Sequence, residues 1–262
     1  MKTKQKGLLL ALCAVLLVAV SVFGTLAYLT DTESVQNTFT VGKVSLVLDE
    51  ADVNGAGQQL NKDGEVWKDG EEKADRVQAN EYRLLPGHTY IKDPTVTVDA
   101  NSEDAYVRMM VEVVNIDRLK EALPAAEYYG ENDVFLLQNL CVNENGELTW
   151  DPSVWKFEGY TEADNESDNE SSNGKTGTYE FRYVGNDAEN SGNGIVVKSE
   201  NPTKLPALFQ SITVPSEIDN DHLAKLADVK INVTAHAIQA DGFAGVYENA
   251  DKDADAAWKA FN

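Results

Sequence analysis

The chain has 262 residues, of which 22 are Lys or Arg and 44 are Asp or Glu, giving a formal net charge of -22 at pH 7. So acidic a chain repels nucleic-acid phosphates and anionic surfaces, which argues against nucleic-acid binding as its function. The same charge favours solubility and association with divalent cations.

The N terminus has the order of a secretory signal: three lysines, an uncharged apolar run and then small residues. Thr25 and Ala27 suit the two peptidase pockets that accept small side chains, so cleavage is predicted before Tyr28. The signal, residues 1–27, contains three basic and no acidic residues, which leaves 19 basic and 44 acidic residues, net -25, in the mature chain. The alternative is an uncleaved anchor, because apolar residues continue to Leu29 and total roughly the 20 that can span a bilayer.

The first strand is predicted soon after this junction. Phe39 and Val41 share one face, and the alternation resumes in the opposite phase at Val44, so a bulge or bend is expected at Gly42. Residues 50–80 are rich in Asp, Glu, Lys, Gly and Asn. They predict a long exposed loop with room for a small hairpin.

Two further strands are predicted beyond the Pro86-Gly87 turn. Val96 and Val98 alternate with threonines, and apolar residues alternate again over residues 107–113. This pattern fits two adjacent antiparallel strands. A short helix is predicted over residues 116–123, and residues 125–140 are expected to form a second helix or an irregular stretch.

The middle of the chain combines aromatic strands with acidic segments. Trp150, Trp155 and Phe157 mark one strand, and residues 179–183 mark another. Residues 164–178 between them are mostly Asn, Glu, Asp, Ser and Gly. Such a segment cannot bury enough apolar surface to order itself, so a mobile insertion is expected.

The C-terminal part predicts a short strand at residues 195–197, a helix over residues 215–227 and a long strand over residues 229–237. A helical tail is expected over residues 246–262, docked on the edge of the sheet. Seven to nine short strands separated by turns predict an all-β fold, an antiparallel β-sandwich with inserted short helices and long acidic loops. It would form one secreted domain, residues 28–262.

Cys141 is the one cysteine that remains after cleavage, so an intramolecular disulfide is excluded. It lies in an apolar run. A buried thiol is expected there, and an intermolecular disulfide is the alternative.

Four segments carry a family resemblance. The junction reads GTLAYLTD at residues 24–31, NTFTVGKVSL follows at residues 37–46, LLPGH stands at residues 84–88, and VKINVTAHAIQA stands at residues 229–240. They resemble the TasA and camelysin family of exported proteins from Gram-positive spore formers, which a dedicated signal peptidase releases. The resemblance covers about a third of the chain.

The resemblance implies a jelly-roll sandwich and a structural subunit of an extracellular matrix fibre or of a cell or spore surface layer. It also implies donor-strand exchange, in which residues 28–41 leave their own domain and complete the sheet of the next subunit. The assembly residues would be Tyr28, Leu29, Val35, Phe39 and Val41. The alternative is an ordinary first strand paired within its own domain.

The partners implied are other copies of the chain, the signal peptidase and a co-expressed anchor or minor matrix protein. Contact with a membrane is implied only before cleavage. The location implied is the extracellular matrix or surface of a Gram-positive bacterium.

A monomeric module that binds cell-wall glycan or a host surface is a second hypothesis, with Trp67, Trp150 and Trp155 as stacking platforms. A camelysin-like metallopeptidase is a weaker one, because zinc proteases use two His on one helical face with a Glu, as in H-E-x-x-H. The three histidines are far apart and are expected at the surface: His88, His222 and His236. No catalytic residue is predicted.

A calcium site has slight support in the tail, where Asp251, Asp253 and Asp255 alternate as in the first half of an EF-hand loop. The glycine and glutamate positions of that loop hold Ala256 and Asn262. An ordinary solvated acidic tail is therefore expected, and no cofactor is predicted.

Overall fold

The computed structural model describes residues 43–123, 140–165, 174–185, 194–241 and 253–261. All of them belong to the compact unit that comprises Gly42–Asn262. The strands within the described part are β1 (Leu46–Asp49), β2 (Thr89–Ile91), β3 (Thr95–Val98), β4 (Ala105–Val114), β5 (Trp155–Asp164), β6 (Lys175–Tyr183), β7 (Ile195–Val196), β8 (Thr203–Lys204), β9 (Ser211–Thr213) and β10 (Lys230–Gln239). The α-helices are α1 (Ile116–Ala122), α2 (Asn220–Lys225) and α3 (Asp253–Phe261).

The strands form three antiparallel sheets, which confirms the all-β prediction. The large sheet has the order β10-β4-β6-β5, with β7 paired to β4 beyond the end of β6. A second sheet has the order β1-β3-β8, and β2 pairs with β9. The prediction that β3 and β4 are adjacent strands is wrong, because β10 takes the place beside β4 along its full length.

One hydrophobic core joins these sheets. Alternate residues of β4, Val107 to Val113, are at most 1 % exposed and face the same side of the large sheet. Val96 and Val98 of β3 and Tyr90 of β2 belong to the same buried cluster. The sheets therefore meet through their apolar faces, as the period of two in the sequence requires.

The segment over residues 50–80 is more ordered than the expected exposed loop. Its chain forms isolated β-bridges, and Ala51 and Val53 are buried. Arg76 ties its C-terminal end to the small sheet by donating to the carboxylates of Asp49 and Asp93. Residues 62–66 and 68–73 are exposed as expected, and the bridge between Leu60 and Val66 closes the small hairpin for which the prediction left room. Composition gave no indication of the clamp by Arg76.

One five-residue turn occurs three times, beginning at Asn54, Asn61 and Asn143. In each turn the Asn Oδ1 accepts hydrogen bonds from the backbone N–H groups two and four residues later, at 2.9–3.1 Å. The fourth residue is a glycine with φ between 74° and 79°, a region that favours glycine. The Asn side chains thus satisfy backbone hydrogen-bond donors within each turn. These polar segments therefore fold with little apolar burial.

The predicted insertion over residues 164–178 is wrong at both of its ends. Asp164 ends β5, and Lys175 begins β6 directly opposite it. Gly177 is buried within β6. The Tyr160 side chain packs so closely on it that an added Cβ would lie 2.7 Å from the Tyr160 hydroxyl. The hairpin extends into the polar segment because cross-strand packing overrides composition.

The three helices match the sequence to different degrees. The prediction of α1 is confirmed. Helix α2 is shorter than predicted, since Asp219 caps its first turn by accepting from the His222 backbone N–H at 2.9 Å. Helix α3 lies on the outer face of the large sheet rather than at an edge, because Trp258 lies above Arg108 of the central strand β4. Most of the irregular or helical stretch expected over residues 125–140 lies outside the described residues.

Two turn glycines provide a matched test of packing. Gly57 and Gly64 have φ values of 74° and 79°, but an added Cβ would lie 2.6 Å from Tyr90 at Gly57 and within 4 Å of nothing at Gly64. We expect the strained φ to cost about 1 kcal/mol in both alanine variants. Overpacking adds about 1–3 kcal/mol in Gly57→Ala alone. Urea unfolding measures both losses, and equal losses would contradict the close approach to Tyr90.

Candidate functional site

An apolar groove of about 1010 Å³, which sequence alone did not predict, lies in the described part of the chain. Strands β1 and β10 form its two walls. Leu46 and Leu48 line it from β1, and Ile231, Val233 and Ala235 line it from β10. Further apolar side chains come from α1, β9, α2 and their flanks: Leu119, Leu123, Leu140, Ile212, Val214, Ile218, Leu223 and Leu226.

Both walls of the groove are edge strands. Within the described residues, β10 pairs only with β4, and β1 pairs only with β3. An edge strand presents a row of backbone N–H and C=O groups that can pair with a further strand. The groove therefore combines an apolar lining with main-chain hydrogen-bonding capacity.

The opposite edge of the large sheet is built differently. Strand β5 contains a bulge between Phe157 and Gly159. Lys156, Glu158 and Glu162 along it are exposed. Bulges and charges are the usual protection against edge-to-edge pairing, so the large sheet has one protected edge and one open edge.

One end of the groove is polar but electrically balanced. Lys92 Nζ lies 2.8 Å from Glu50 Oε2, and the two side chains are 9 % and 8 % exposed. Asn80 Nδ2 donates to the other oxygen of Glu50 at 3.0 Å. Burial and the charges of Glu50 and Asp93 raise the pKa of Tyr82. The charges of Glu50 and Lys92 therefore compensate each other within the pair.

The N-terminal sites predicted from sequence lie outside the described residues. They are the cleavage residues Thr25, Ala27 and Tyr28 and the assembly residues Leu29, Val35, Phe39 and Val41.

The tryptophans proposed as stacking platforms do not form a common surface. Trp155 is fully buried and donates from Nε1 to the Pro206 carbonyl at 3.0 Å. Trp150 is buried and donates to the Trp155 carbonyl at 2.7 Å. Trp67 alone is partly exposed, with Lys73 Nζ 4.7 Å from its ring centre. Two of the three rings are therefore core residues.

The histidines are separated in the structure as well. His88 and His222 are exposed, and His222 Nδ1 lies 2.6 Å from Asp219 Oδ1. His236 is half-buried on β10 rather than at the surface, because α3 covers it. Within the described part of the chain, no group of three or more His, Cys, Asp or Glu side chains could hold a metal ion.

The acidic tail differs from an EF-hand loop. Asp253 and Asp255 belong to helix α3, and Asp251 lies outside the described residues. Asp255 forms an ion pair with Arg182 of β6. Cys141 is buried as expected, and burial raises the pKa of its thiol, which makes it a poor nucleophile.

The sequence predicted β10 and its core-facing residues correctly but not that it is an edge strand. The alternation of Val229, Ile231 and Val233 looks the same for an edge strand and a half-buried central strand. One signal was available: the run from residues 231 to 235 contains no charge, proline or glycine that would protect an edge.

The pair between Lys92 and Glu50 gives a stability prediction. We expect Lys92→Met to lower the free energy of unfolding by about 3–5 kcal/mol, because it leaves the Glu50 carboxylate buried without a counter-charge. The double variant Lys92→Met/Glu50→Gln should recover most of this loss.

Chemical denaturation of the variants makes the comparison. Lys62→Met is the matched control, since Lys62 pairs with the exposed carboxylates of Glu72 and Asp75 and its loss should destabilise the fold far less than the loss of Lys92. A double variant as unstable as Lys92→Met would refute the charge argument.

Within the described residues, no helix combines the length and apolar character needed to cross a membrane. No protein-family model, curated protein or solved structure matches the chain. The function of this chain must therefore be inferred from the geometry of the groove and from the sequence motifs.

Proposed function

We propose that this chain is a secreted structural subunit of an extracellular matrix fibre or of a cell or spore surface layer in a Gram-positive bacterium. In this proposal its fold is a jelly-roll sandwich, and subunits join when residues 28–41 of one copy enter the groove of the next. The observation that carries the proposal is the apolar groove between two edge strands.

The dimensions support a strand as the occupant. Strand β10 has 10 residues, which span about 33 Å in extended form. Residues 28–41 span up to about 46 Å when extended. This segment is therefore long enough to run along the whole of β10.

The chemistry of the groove supports the same occupant. Added strands gain generic affinity from main-chain hydrogen bonds and specificity from alternate side chains. Phe39 and Val41 alternate in the way needed to face the apolar lining, while the intervening Thr40 faces away. The paired charges of Lys92 and Glu50 present no net charge to such a segment.

The proposal assigns a role to processing. Cleavage before Tyr28 frees the N-terminal segment from the membrane, so the subunit becomes competent for assembly only after export. One copy gives a strand and the next supplies a groove, which makes the contact heterologous. Contacts of this kind propagate unless the rotation closes a ring.

Electron microscopy of purified protein tests assembly directly. Protein that begins at Tyr28 should form filaments, and the same protein behind a removable N-terminal tag should do so only after the tag is removed. Monodisperse particles in both samples would contradict the proposal.

Two variants separate the strand from the groove. Deletion of residues 28–37 should abolish polymerisation by removing the donor, and Val233→Glu should abolish it by placing a charge in the groove. Thr161→Glu is the matched control, because Thr161 is exposed on β5, at the opposite edge of the large sheet and outside the groove.

The two defective proteins should be able to form a single strand-to-groove contact with each other. The Val233→Glu subunit still has a strand, and the deleted subunit still has a groove, so a mixture should give heterodimers but no filaments. Analytical ultracentrifugation measures this. If residues 28–41 pair within their own domain instead, the mixture stays monomeric and the deletion costs only stability.

A further inference from the structure

The outer face of the large sheet carries a second apolar cluster that the groove does not use. Tyr106, Ala240, Ala257 and Trp258 form it, and Trp258 of α3 is 2 % exposed. The cluster is separate from the main core on the inner face. Helix α3 therefore packs on the sheet through a small apolar cluster. The polar side chains next to this cluster then affect how firmly the helix is docked.

Arg108 of β4 is at the centre of this contact and is 4 % exposed. Its guanidinium carbon lies 4.6 Å from the Trp258 ring centre and 5.0 Å from the Phe261 ring centre. A cation above aromatic rings is attracted by their negative faces, and more strongly where water is excluded. The two rings of α3 therefore both cover Arg108 and hold it.

His236 of β10 completes the contact. Arg108 Nε donates to His236 Nδ1 at 3.1 Å, which requires that nitrogen to be unprotonated. The imidazole also lies against Phe261, with ring centres 4.9 Å apart. The hydrogen bond between β4 and β10 therefore depends on the neutral form of this histidine, whose ring also contacts the docked helix.

The other charges around His236 come from three elements. Arg108 lies on β4, Glu180 and Arg182 lie on β6, and Asp255 of α3 forms an ion pair with Arg182. Glu180 Oε1 accepts from Arg182 Nε at 2.8 Å and lies 3.6 Å from Arg108 Nη1. Glu180 is thus already shared between two arginines, and a third cation beside it is poorly compensated.

We propose that mildly acidic conditions release helix α3 from the large sheet by protonating His236. The protonated ring cannot accept the hydrogen bond from Arg108 Nε and adds a positive charge next to that guanidinium. Release exposes Trp258 together with the cationic face beneath it. The helix is then a pH-dependent cover on the outer face of the sheet.

The direction of the effect follows from proton linkage. Burial, and next the charge of Arg108, lower the pKa of His236 from its ordinary 6.5, while Glu180 opposes the shift. Arg108 and Glu180 stay on the sheet when α3 leaves, so the burial by α3 is the part of this shift that is linked to docking. A histidine with a lower pKa when docked than when released favours docking at pH values above the released pKa, and this stabilisation falls as the pH drops through the released pKa towards the docked one. It does not change further below the docked pKa.

Hydrogen–deuterium exchange of the full mature chain tests the proposal. Between pH 7.5 and pH 5.5 the protection factors of α3 amides, corrected for intrinsic exchange, should fall by up to about tenfold, the limit for one proton and an undocked pKa of 6.5. Amides of β4 and β6 should keep their protection. Unchanged protection in α3 would overturn the proposal.

Two substitutions assign the effect. His236→Gln removes the titrating group and keeps an acceptor for Arg108, so α3 should remain equally protected at both pH values. His222→Gln, at an exposed histidine, should behave as the unmodified chain. Loss of protection at pH 5.5 in His236→Gln would refute the assignment to His236.

A titration of the unmodified chain gives an independent test should His236→Gln fail to fold. Protection of α3 should decline with a midpoint between about pH 5 and 6.5 and follow a single proton. A midpoint near 4 would identify carboxylates such as Glu180 or Asp255 as the cause and overturn the proposal.

Discussion

The backbone ladder along β4 is the interaction on which the rest of this structure depends. Strand β4 pairs with β10 over its full length on one side and with β6 and then β7 on the other. Central position and alternation fix its two faces: the valines face the core, and Arg108 faces α3. The groove exists because β10 is joined to the sheet by this one ladder.

Much of the secondary structure could be predicted from the sequence, because its alternation is strong where strands are half-buried. The strands around Val96, Val111 and Val233 and the helix beginning at Ile116 were predicted close to their observed positions. Pairing was not, since alternation gives the buried face of a strand but not its neighbour. For that reason β3 and β4 were expected side by side, although they lie in different sheets.

The acidic segments show a second limit of sequence reasoning. Composition alone predicted exposed or mobile loops, but turns around Asn54 and Asn61 and a clamp by Arg76 order much of the sequence over residues 50–80. A five-residue pattern ending in glycine and a polar residue was present three times and could have been detected. The contact between Arg108 and His236 could not, because it joins residues 128 positions apart.

The two outer edges of the large sheet differ in their ability to pair with a further strand. This difference affects how the proposed fibre would grow. A polymer built through the open β10 edge, with β5 protected by its bulge and charges, has two chemically distinct ends, one with a vacant groove and one with an unused strand. A protein that offers only a strand would stop elongation at the first end. A protein on the wall or membrane that offers only a groove would bind the second end and so fix where a filament starts. This partner would not affect the length of the filament.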